Sequence, residues 1–117
     1  MKRVINLNLK PANELERVAA LKRYQIFNSP AEAEFDNIVN LAKTIFKVPV
    51  AHISFLDDEY EFVKAIVGLE GITLVPRKDS LCTIAVLEPE VIVIEDTLLE
   101  KALVTHSAVV GPLGLRF

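Results

Sequence analysis

Apolar residues recur at helical spacing near the start of this 117-residue chain. Leu15, Val18 and Ala19 form one apolar stripe, which predicts a helix over residues 14–26. Residues 13–16, Asn-Glu-Leu-Glu, match a capping box. In this motif the first side chain accepts hydrogen bonds from free backbone N–H groups, and the last side chain accepts one from the N–H of the first residue. The basic side chains of this helix are expected on its outer side: Arg17, Lys22 and Arg23.

A second and longer helical pattern predicts a helix over residues 30–46. Ser29 is a natural N-cap, Pro30 takes the first helical position, where its missing N–H costs nothing, and Glu32 completes a capping box. Apolar residues then follow at intervals of one or three positions, on the spacing of an amphipathic helix: Phe35, Ile38, Val39, Ala42, Ile45 and Phe46.

Beyond Pro49 the apolar period changes from that of a helix to two, which is typical of strands. Within residues 51–56 the odd-numbered side chains share one face and the even-numbered ones the other. A short acidic turn at 57–59 leads into a second strand at 60–67, so the two strands predict an antiparallel hairpin. Glu61 joins the three carboxylates of the turn in one acidic cluster, and we expect this cluster to serve the turn rather than catalysis.

The remaining pattern predicts a loop over residues 68–80, a short helix near 80–87, a third strand at 91–96 and one or two short helical turns afterwards. We therefore expect one α+β domain over residues 1–117, in which the N-terminal helices pack on one face of an antiparallel sheet.

Composition and charge narrow the function classes. The chain is 51% hydrophobic and 25% charged, as globular proteins are, and its net charge of −3 makes nucleic acid and anionic membranes poor partners. The N-terminus lacks the pattern of a secretory signal, and no apolar run approaches the roughly 20 residues that span a bilayer. We therefore expect a cytoplasmic protein. With Cys82 as its one cysteine, the chain has no internal disulfide and no zinc cluster built on thiols.

The order and spacing of these segments resemble a GAF domain, the small-molecule sensor module of bacterial signalling proteins, and in particular a subgroup that begins such proteins. The resemblance runs from residue 13 to residue 117 and implies a GAF-like antiparallel sheet. It rests on four stretches: ELERVAALKRYQIFNSPAEAEFDNIVNLAKTIFKVPVAHISFLDDEYEFVKAIVGL, PRKDSLC, VIVIEDTL and GPLGLRF. In the family, a segment like the last one leads into further strands and a closing helix, so we expect a domain that lacks its C-terminal strands.

The resemblance also implies a ligand cavity between one face of the sheet and the loops at residues 68–82 and 96–112. Its candidate ligand-binding residues are His52, Phe62, Lys64, Arg77, Cys82, Asp96 and Thr97. We expect no catalytic residues and no metal site, because the histidines and carboxylates do not converge at any recognisable spacing.

Each candidate also has a purely structural interpretation. His52 also fits a hydrogen-bonded core histidine, and Arg77 fits a residue that pins its loop to a carboxylate. Cys82 lies near a predicted helix N-terminus, which would favour a thiolate. However, bilin-binding relatives have histidine after the cysteine where this chain has Thr83, and reductase relatives need several thiols. We therefore expect a half-buried apolar cysteine and neither bilin nor haem.

Three functional hypotheses remain at this point. The first is a small-molecule-sensing or regulatory GAF-like module that acts through a homodimer or through a partner such as a histidine kinase or cyclase. The second is a degenerate GAF fragment that binds no ligand and serves only as a dimerisation module. The third is a thiol reductase that depends on Cys82. The bare strand edges of an incomplete sheet favour pairing of two copies.

Overall fold

The structure, a computed structural model, describes residues 10–99 and 114–115. The chain divides into two compact units, one formed by residues 13–77 and the other by the residues outside that range. Helices and a three-stranded antiparallel sheet confirm the predicted α+β class. None of the helices in the described residues has the length and apolar character that crossing a bilayer requires.

The unit of residues 13–77 contains two helices followed by three strands. The helices are α1 (Glu14–Arg23) and α2 (Ala33–Phe46), and the strands are β1 (Ala51–Leu56), β2 (Tyr60–Val67) and β3 (Leu74–Pro76). The strand order is β1-β2-β3, and both pairings are antiparallel.

The predicted hairpin is confirmed at both strands. Its turn is held by Asp57, whose carboxylate Oδ1 accepts hydrogen bonds from the backbone N–H of Glu59 at 2.7 Å and of Tyr60 at 2.6 Å. An aspartate that accepts from the backbone two and three residues ahead forms an Asx turn. This carboxylate therefore fixes the chain reversal between β1 and β2.

A β-bulge interrupts the pairing of β1 with β2. Ile53 pairs with Ala65 and Ser54 pairs with Val63, which leaves Lys64 as an extra residue in β2. Because paired residues share a face of the sheet, the alternation in β2 changes phase at Lys64. The side chains of Lys64 and Ala65 therefore follow one another on the same face.

Helix α2 packs across β1 and β2 on that face. The Phe35 ring of α2 meets the Phe55 ring of β1 edge-on, with the ring centroids 6.5 Å apart, and Val39 is almost fully buried. Phe27, in the connection between the helices, packs against Phe62 of β2, with the ring centroids 5.6 Å apart. Aromatic pairs and an apolar helix face thus form the core between α2 and the sheet.

Helix α1 differs from the prediction in its end, its cap and its buried face. It ends at Arg23 rather than residue 26, and no side chain caps its N-terminus. The predicted apolar Leu15 is 87% exposed, whereas Glu14 and Val18 are buried. Apolar periodicity missed this arrangement because α1 is held to the hairpin by a charged network, in which Arg17, expected on the outer side, donates to the carbonyl oxygen of Leu56.

Helix α2 ends at Phe46 as predicted but begins three residues later than expected. Glu32, in an extended conformation, precedes its first residue, and no side chain caps the helix. The Ser29 hydroxyl, the predicted cap, instead donates to the carbonyl oxygen of Ile26 and accepts from the ammonium of Lys64. The capping motif is therefore used to bind a lysine from the sheet.

The third strand lies elsewhere than predicted. Strand β3 falls within the expected loop at residues 68–80, and its Val75 pairs with Glu61. Residues 91–96 form no strand, although their alternation is real: Ile92 and Ile94 pack against Ile84, while Val91 and Val93 are exposed. The alternation therefore reflects which side chains pack inward and does not require a partner strand.

The second unit contains helix α3 (Cys82–Ala85), shorter than the predicted helix at 80–87, and a 3-10 turn at Thr97–Leu99. Another 3-10 turn, Arg77–Asp79, lies at the boundary of the two units. The turn at Thr97–Leu99 agrees with the short helical turns predicted there. The expectation that C-terminal strands are missing depends on residues around 109–117, most of which lie outside the described residues.

Candidate functional site

The predicted ligand contacts are distributed over both units of the chain. Four of them belong to the unit of residues 13–77, namely His52, Phe62, Lys64 and Arg77. The other three belong to the second unit, namely Cys82, Asp96 and Thr97.

His52 belongs to a polar cluster on the face of the sheet opposite α2. Its Nδ1 lies 2.8 Å from the hydroxyl Oγ of Ser54 and 3.9 Å from the carboxylate Oε2 of Glu61. The first distance is a hydrogen bond, whereas the second is too long for one. Strand alternation puts His52 and Ser54 on one face, and the pairing of Leu56 with Glu61 adds the carboxylate from β2.

We refer to His52, Ser54 and Glu61 as the His52 cluster. The cluster lies among apolar side chains of the same sheet face, because buried Leu56 and Val63 pair with its members across the hairpin. A few polar groups that converge on an apolar surface are typical of small-molecule sites. The imidazole and hydroxyl can donate or accept, and the carboxylate can accept from a ligand N–H.

The geometry of the cluster differs from that of a nucleophilic relay. In a Ser-His-acid relay one ring nitrogen faces the serine and the other faces the acid. Here the same nitrogen, Nδ1 of His52, is the one near both Ser54 and Glu61. This arrangement suits binding better than proton transfer from the serine.

Lys64 and Phe62 lie on the other face of the sheet, toward the helices. The Lys64 side chain is fully buried, and its ammonium donates to the Ser29 hydroxyl at 2.8 Å and to the Pro30 carbonyl oxygen. It also pairs with the Glu32 carboxylate at 2.7 Å and lies 5.3 Å from the centre of the Phe35 ring. The structure therefore does not bring Lys64 and Phe62 together with His52.

Arg77 is buried in a charged network with α1. Its guanidinium donates to the Glu14 carboxylate and, at 3.0 Å, to the carbonyl oxygen of Asp57. Arg17 donates to the other oxygen of the same carboxylate at 2.6 Å. Burial works to raise the pKa of Glu14, but the hydrogen bonds and charges of Arg17 and Arg77 outweigh it and hold that pKa below its ordinary value. The network matches the structural interpretation of Arg77 as a loop anchor.

Cys82 is half-buried at the start of α3. Its backbone N–H donates to the Ser80 hydroxyl at 3.1 Å, although Ser80 lies one residue before the N-cap of the helix, Leu81. Ser80, whose hydroxyl was expected to cap this helix, is therefore not its N-cap, and α3 begins two residues later than expected. A four-residue helix of this kind offers no extended dipole to activate a thiol.

Asp96 and Thr97 stabilise the 3-10 turn of the second unit. The Asp96 carboxylate accepts from the N–H of Leu98 at 3.0 Å, and its carbonyl oxygen accepts from the N–H of Leu99. The buried Thr97 hydroxyl donates to the carbonyl oxygen of Leu115 at 2.6 Å. Both side chains have local structural partners in the part of the chain that is described.

Two members of the His52 cluster and the buried Glu14 are absent from the predicted ligand contacts. Ser54 could have been found from strand alternation, because it lies two residues from His52 on the same face. Glu61 was grouped with the acidic turn, and only the register of β2 shows that it faces the cluster. Glu14 gave no signal, since an acidic residue in a first helical turn is ordinarily solvated.

Comparison with known proteins gives one informative similarity. The chain is 31% identical over 107 residues, 92% of its length, to a cyclic di-GMP phosphodiesterase of Pseudomonas aeruginosa. It spans 18% of the length of that relative. No protein-family model matches the chain. The similarity thus connects nearly all of this sequence to a small part of a much larger bacterial protein, and it supports a role in signal transduction.

Proposed function

We propose that this chain is a GAF-like sensory or regulatory module of bacterial signal transduction, which acts in the cytoplasm through a homodimer or a partner chain. The observation that carries the proposal is the similarity to a cyclic di-GMP phosphodiesterase, which takes in 92% of this chain but only 18% of the relative. A segment of that size is typical of one module in a multidomain protein.

The fold and the order of the segments support the GAF-like part of the proposal. Two helices precede an antiparallel hairpin, and α2 covers one face of the sheet. The polar cluster lies on the opposite face of the sheet and includes His52, one of the ligand contacts that the resemblance implies. A partner that turns over cyclic di-GMP is therefore a suitable target of regulation, alongside a histidine kinase or cyclase.

The His52 cluster is the ligand-contacting group that we propose for this module. A small molecule with an N–H donor would bind the Glu61 carboxylate and exchange hydrogen bonds with His52 and Ser54. Its apolar part would pack on the side chains of Leu56 and Val63. We propose no catalytic role, because Nδ1 of His52 is near both other members of the cluster.

Thermal-shift screening against nucleotides, haem-like compounds and aromatic compounds tests this function. We expect a saturable rise in melting temperature with at least one compound class, since a ligand that binds only the folded state stabilises it. The variant Ser54→Ala should weaken that ligand by about tenfold, the effect of losing one hydrogen bond of about 1.4 kcal/mol. A matched control is Thr44→Ala, which removes an exposed hydroxyl from α2. Equal ligand affinity in both variants would refute the proposed site.

The alternative is a module that binds no ligand and serves only in dimerisation or protein interaction. The exposed apolar side chains of α2 favour this function, because they supply a contact surface without any cavity. No stabilisation by any screened compound, together with concentration-dependent association, would support the alternative.

Thiol reductase activity that is lost in Cys82→Ser would instead support the third hypothesis.

A further inference from the structure

The two ring nitrogens of His52 have different surroundings. Nδ1 lies 2.8 Å from the hydroxyl Oγ of Ser54 and 3.9 Å from Oε2 of Glu61. The N–H directions of the two nitrogens diverge, so Nε2 points away from these partners of Nδ1. A neutral imidazole carries its proton on one nitrogen, and the other nitrogen is then an acceptor. The surroundings of Nδ1 therefore decide which kind of hydrogen bond Nε2 makes with a ligand.

Two arrangements satisfy the hydrogen bond between His52 and Ser54. In the first, Nδ1 carries the ring proton and donates it to Oγ of Ser54. In the second, the Ser54 hydroxyl donates to an unprotonated Nδ1, and the ring proton is on Nε2. A hydroxyl both donates and accepts, so the 2.8 Å distance fits either direction. The hydrogen bond to Ser54 therefore does not by itself select a tautomer.

The charge of Glu61 distinguishes the two arrangements. In the second, the lone pair of Nδ1 would lie beside the carboxylate oxygen at 3.9 Å, and two regions of negative charge would repel each other. In the first, the positive end of the N–H dipole lies there and is attracted to the carboxylate. The Glu61 side chain is only 7% exposed, so water screens this difference weakly. The first arrangement therefore has the lower energy.

We infer that Glu61 is a positioning residue, whose charge holds neutral His52 as the Nδ1–H tautomer and leaves Nε2 as a hydrogen-bond acceptor. The partner of one histidine nitrogen commonly sets the role of the other in this way. The His52 side chain is 35% exposed, whereas that of Glu61 is almost fully buried, so His52 is the more accessible of the two.

The ligand class follows from this assignment. Nε2 of His52 and the Glu61 carboxylate both accept hydrogen bonds, so the site selects a ligand with N–H or O–H donors over one that only accepts. This inference deepens the proposed function by specifying what the His52 cluster recognises. It rests on that function for the existence of a ligand, but the tautomer is a property of the free protein.

Nitrogen NMR of the full chain measures the tautomer without any ligand. Long-range proton–nitrogen correlation spectra separate the protonated from the unprotonated nitrogen of a neutral ring. Measurement at about pH 8.5 keeps an ordinary imidazole uncharged. The chain has two histidines, so the spectrum of His106→Gln assigns the remaining signals to His52. We expect Nε2 to be the unprotonated nitrogen of His52.

Glu61→Gln tests whether the charge selects the tautomer. It keeps the shape of the side chain and should lower the ratio of the Nδ1–H to the Nε2–H tautomer about tenfold. Glu34→Gln is the matched control, because it removes the same charge from an exposed position on α2, which packs on the other face of the sheet. It should leave the ratio unchanged. Thermal unfolding shows whether each variant folds.

Ser54→Ala separates the hydroxyl from the charge. Since the hydroxyl serves either tautomer, we expect Nδ1–H to remain the main form of His52 in this variant. Loss of the Nδ1–H form in Ser54→Ala would assign the selection to Ser54 and refute the role of Glu61. This measurement and the wild-type spectrum decide the question even if Glu61→Gln does not fold.

Phenol and anisole test the ligand class. Both have an aromatic ring, but phenol carries an O–H donor where anisole carries a methyl ether. Titration with phenol at millimolar concentration should shift the Nε2 signal of His52 in a saturable way, whereas anisole should leave it in place. A hydrogen bond donated to Nε2 changes the nitrogen signal directly, so this readout reports the contact itself.

Three results would overturn the inference. The Nε2–H tautomer in the wild-type protein, or an unchanged ratio in a folded Glu61→Gln variant, would refute the role of Glu61. Equal responses of Nε2 to phenol and anisole, including no response to either, would refute the ligand class. The thermal-shift screen tests the sensory function separately, so failure of this assignment and failure of the proposed function are distinguishable.

Discussion

Replacing Lys64 by methionine removes a buried ammonium group while it keeps a side chain of similar length. The ammonium holds together three groups in the connection between α1 and α2, namely the Ser29 hydroxyl, the Pro30 carbonyl oxygen and the Glu32 carboxylate. We expect Lys64→Met to lower the free energy of unfolding, because the connection would lose its attachment to the sheet.

The magnitude follows from the burial of each partner. A hydrogen bond to a charged group contributes about 1.5–3 kcal/mol, so three such contacts set a ceiling of several kcal/mol. The carboxylate of Glu32 is 48% exposed, however, and water would solvate it once the lysine is gone. Removing a buried charge also removes its own desolvation cost. We therefore expect a loss of about 2 kcal/mol, which for a domain of this size is a fall of roughly 8 °C in melting temperature.

Urea unfolding with linear extrapolation measures the free energy of unfolding in each variant. Lys22→Met is the matched control, because the Lys22 side chain is 64% exposed and pairs only loosely with Asp58, at 3.8 Å. Its effect should stay within about 0.5 kcal/mol. If both variants lose the same small amount, the burial of Lys64 does not hold the connection to the sheet and the reasoning is refuted.

Three further predictions concern the charged network, a glycine and the hairpin turn. Glu14→Gln should lower the free energy of unfolding by about 2–4 kcal/mol at pH 7. Because the folded-state pKa of Glu14 is lowered, the stability that its ionised form contributes is lost as pH falls below about 4.5, and the difference between variant and wild type should shrink there. Urea unfolding at a series of pH values measures this difference. Gly68→Ala should lower the free energy of unfolding by at least about 2 kcal/mol, because φ is +95° and a Cβ there would lie 1.9 Å from a backbone oxygen. Gly71 has φ +80° but lies in open space, so Gly71→Ala should lower it by only about 1 kcal/mol. Asp57→Ala should cost about 1–2 kcal/mol by thermal melting, and the same change at Asp58 should cost less than half as much.

The hairpin and α2 could be predicted from the sequence because a single physical effect determines each of them. Alternation at residues 51–56 and the acidic turn specify the hairpin, and the amphipathic pattern ending at Phe46 specifies the end of α2. The start of α2 could not be predicted, because Ser29 has a second possible partner in Lys64, which lies 35 residues away in the sequence. Local capping rules do not include such a competitor.

The candidate site was predictable only in part for a similar reason. His52 was identified from its position in a predicted strand. Whether it shares a face of the sheet with Lys64 and Phe62 depends on the register between β1 and β2, which the sequence does not show. The pairing of Phe55 with Phe62 shows that Phe62 shares the face of Phe55 and not that of His52, and the contacts of Lys64 lie on the same side as Phe62. Charged residues that are buried in pairs, such as Glu14 and Arg77, contradict the rule that charges lie outside, so hydropathy could not indicate them.

The bulge in β2 also affects how this chain should be compared with its relatives. A related strand without the extra residue has one position fewer between the counterparts of Val63 and Ala65. An alignment drawn through that region without a gap would assign every later strand residue to the opposite side, and would mistake lining positions for packing positions. A one-residue gap opposite Lys64 keeps inward and outward positions matched, so substitutions along the strand can be compared correctly between proteins.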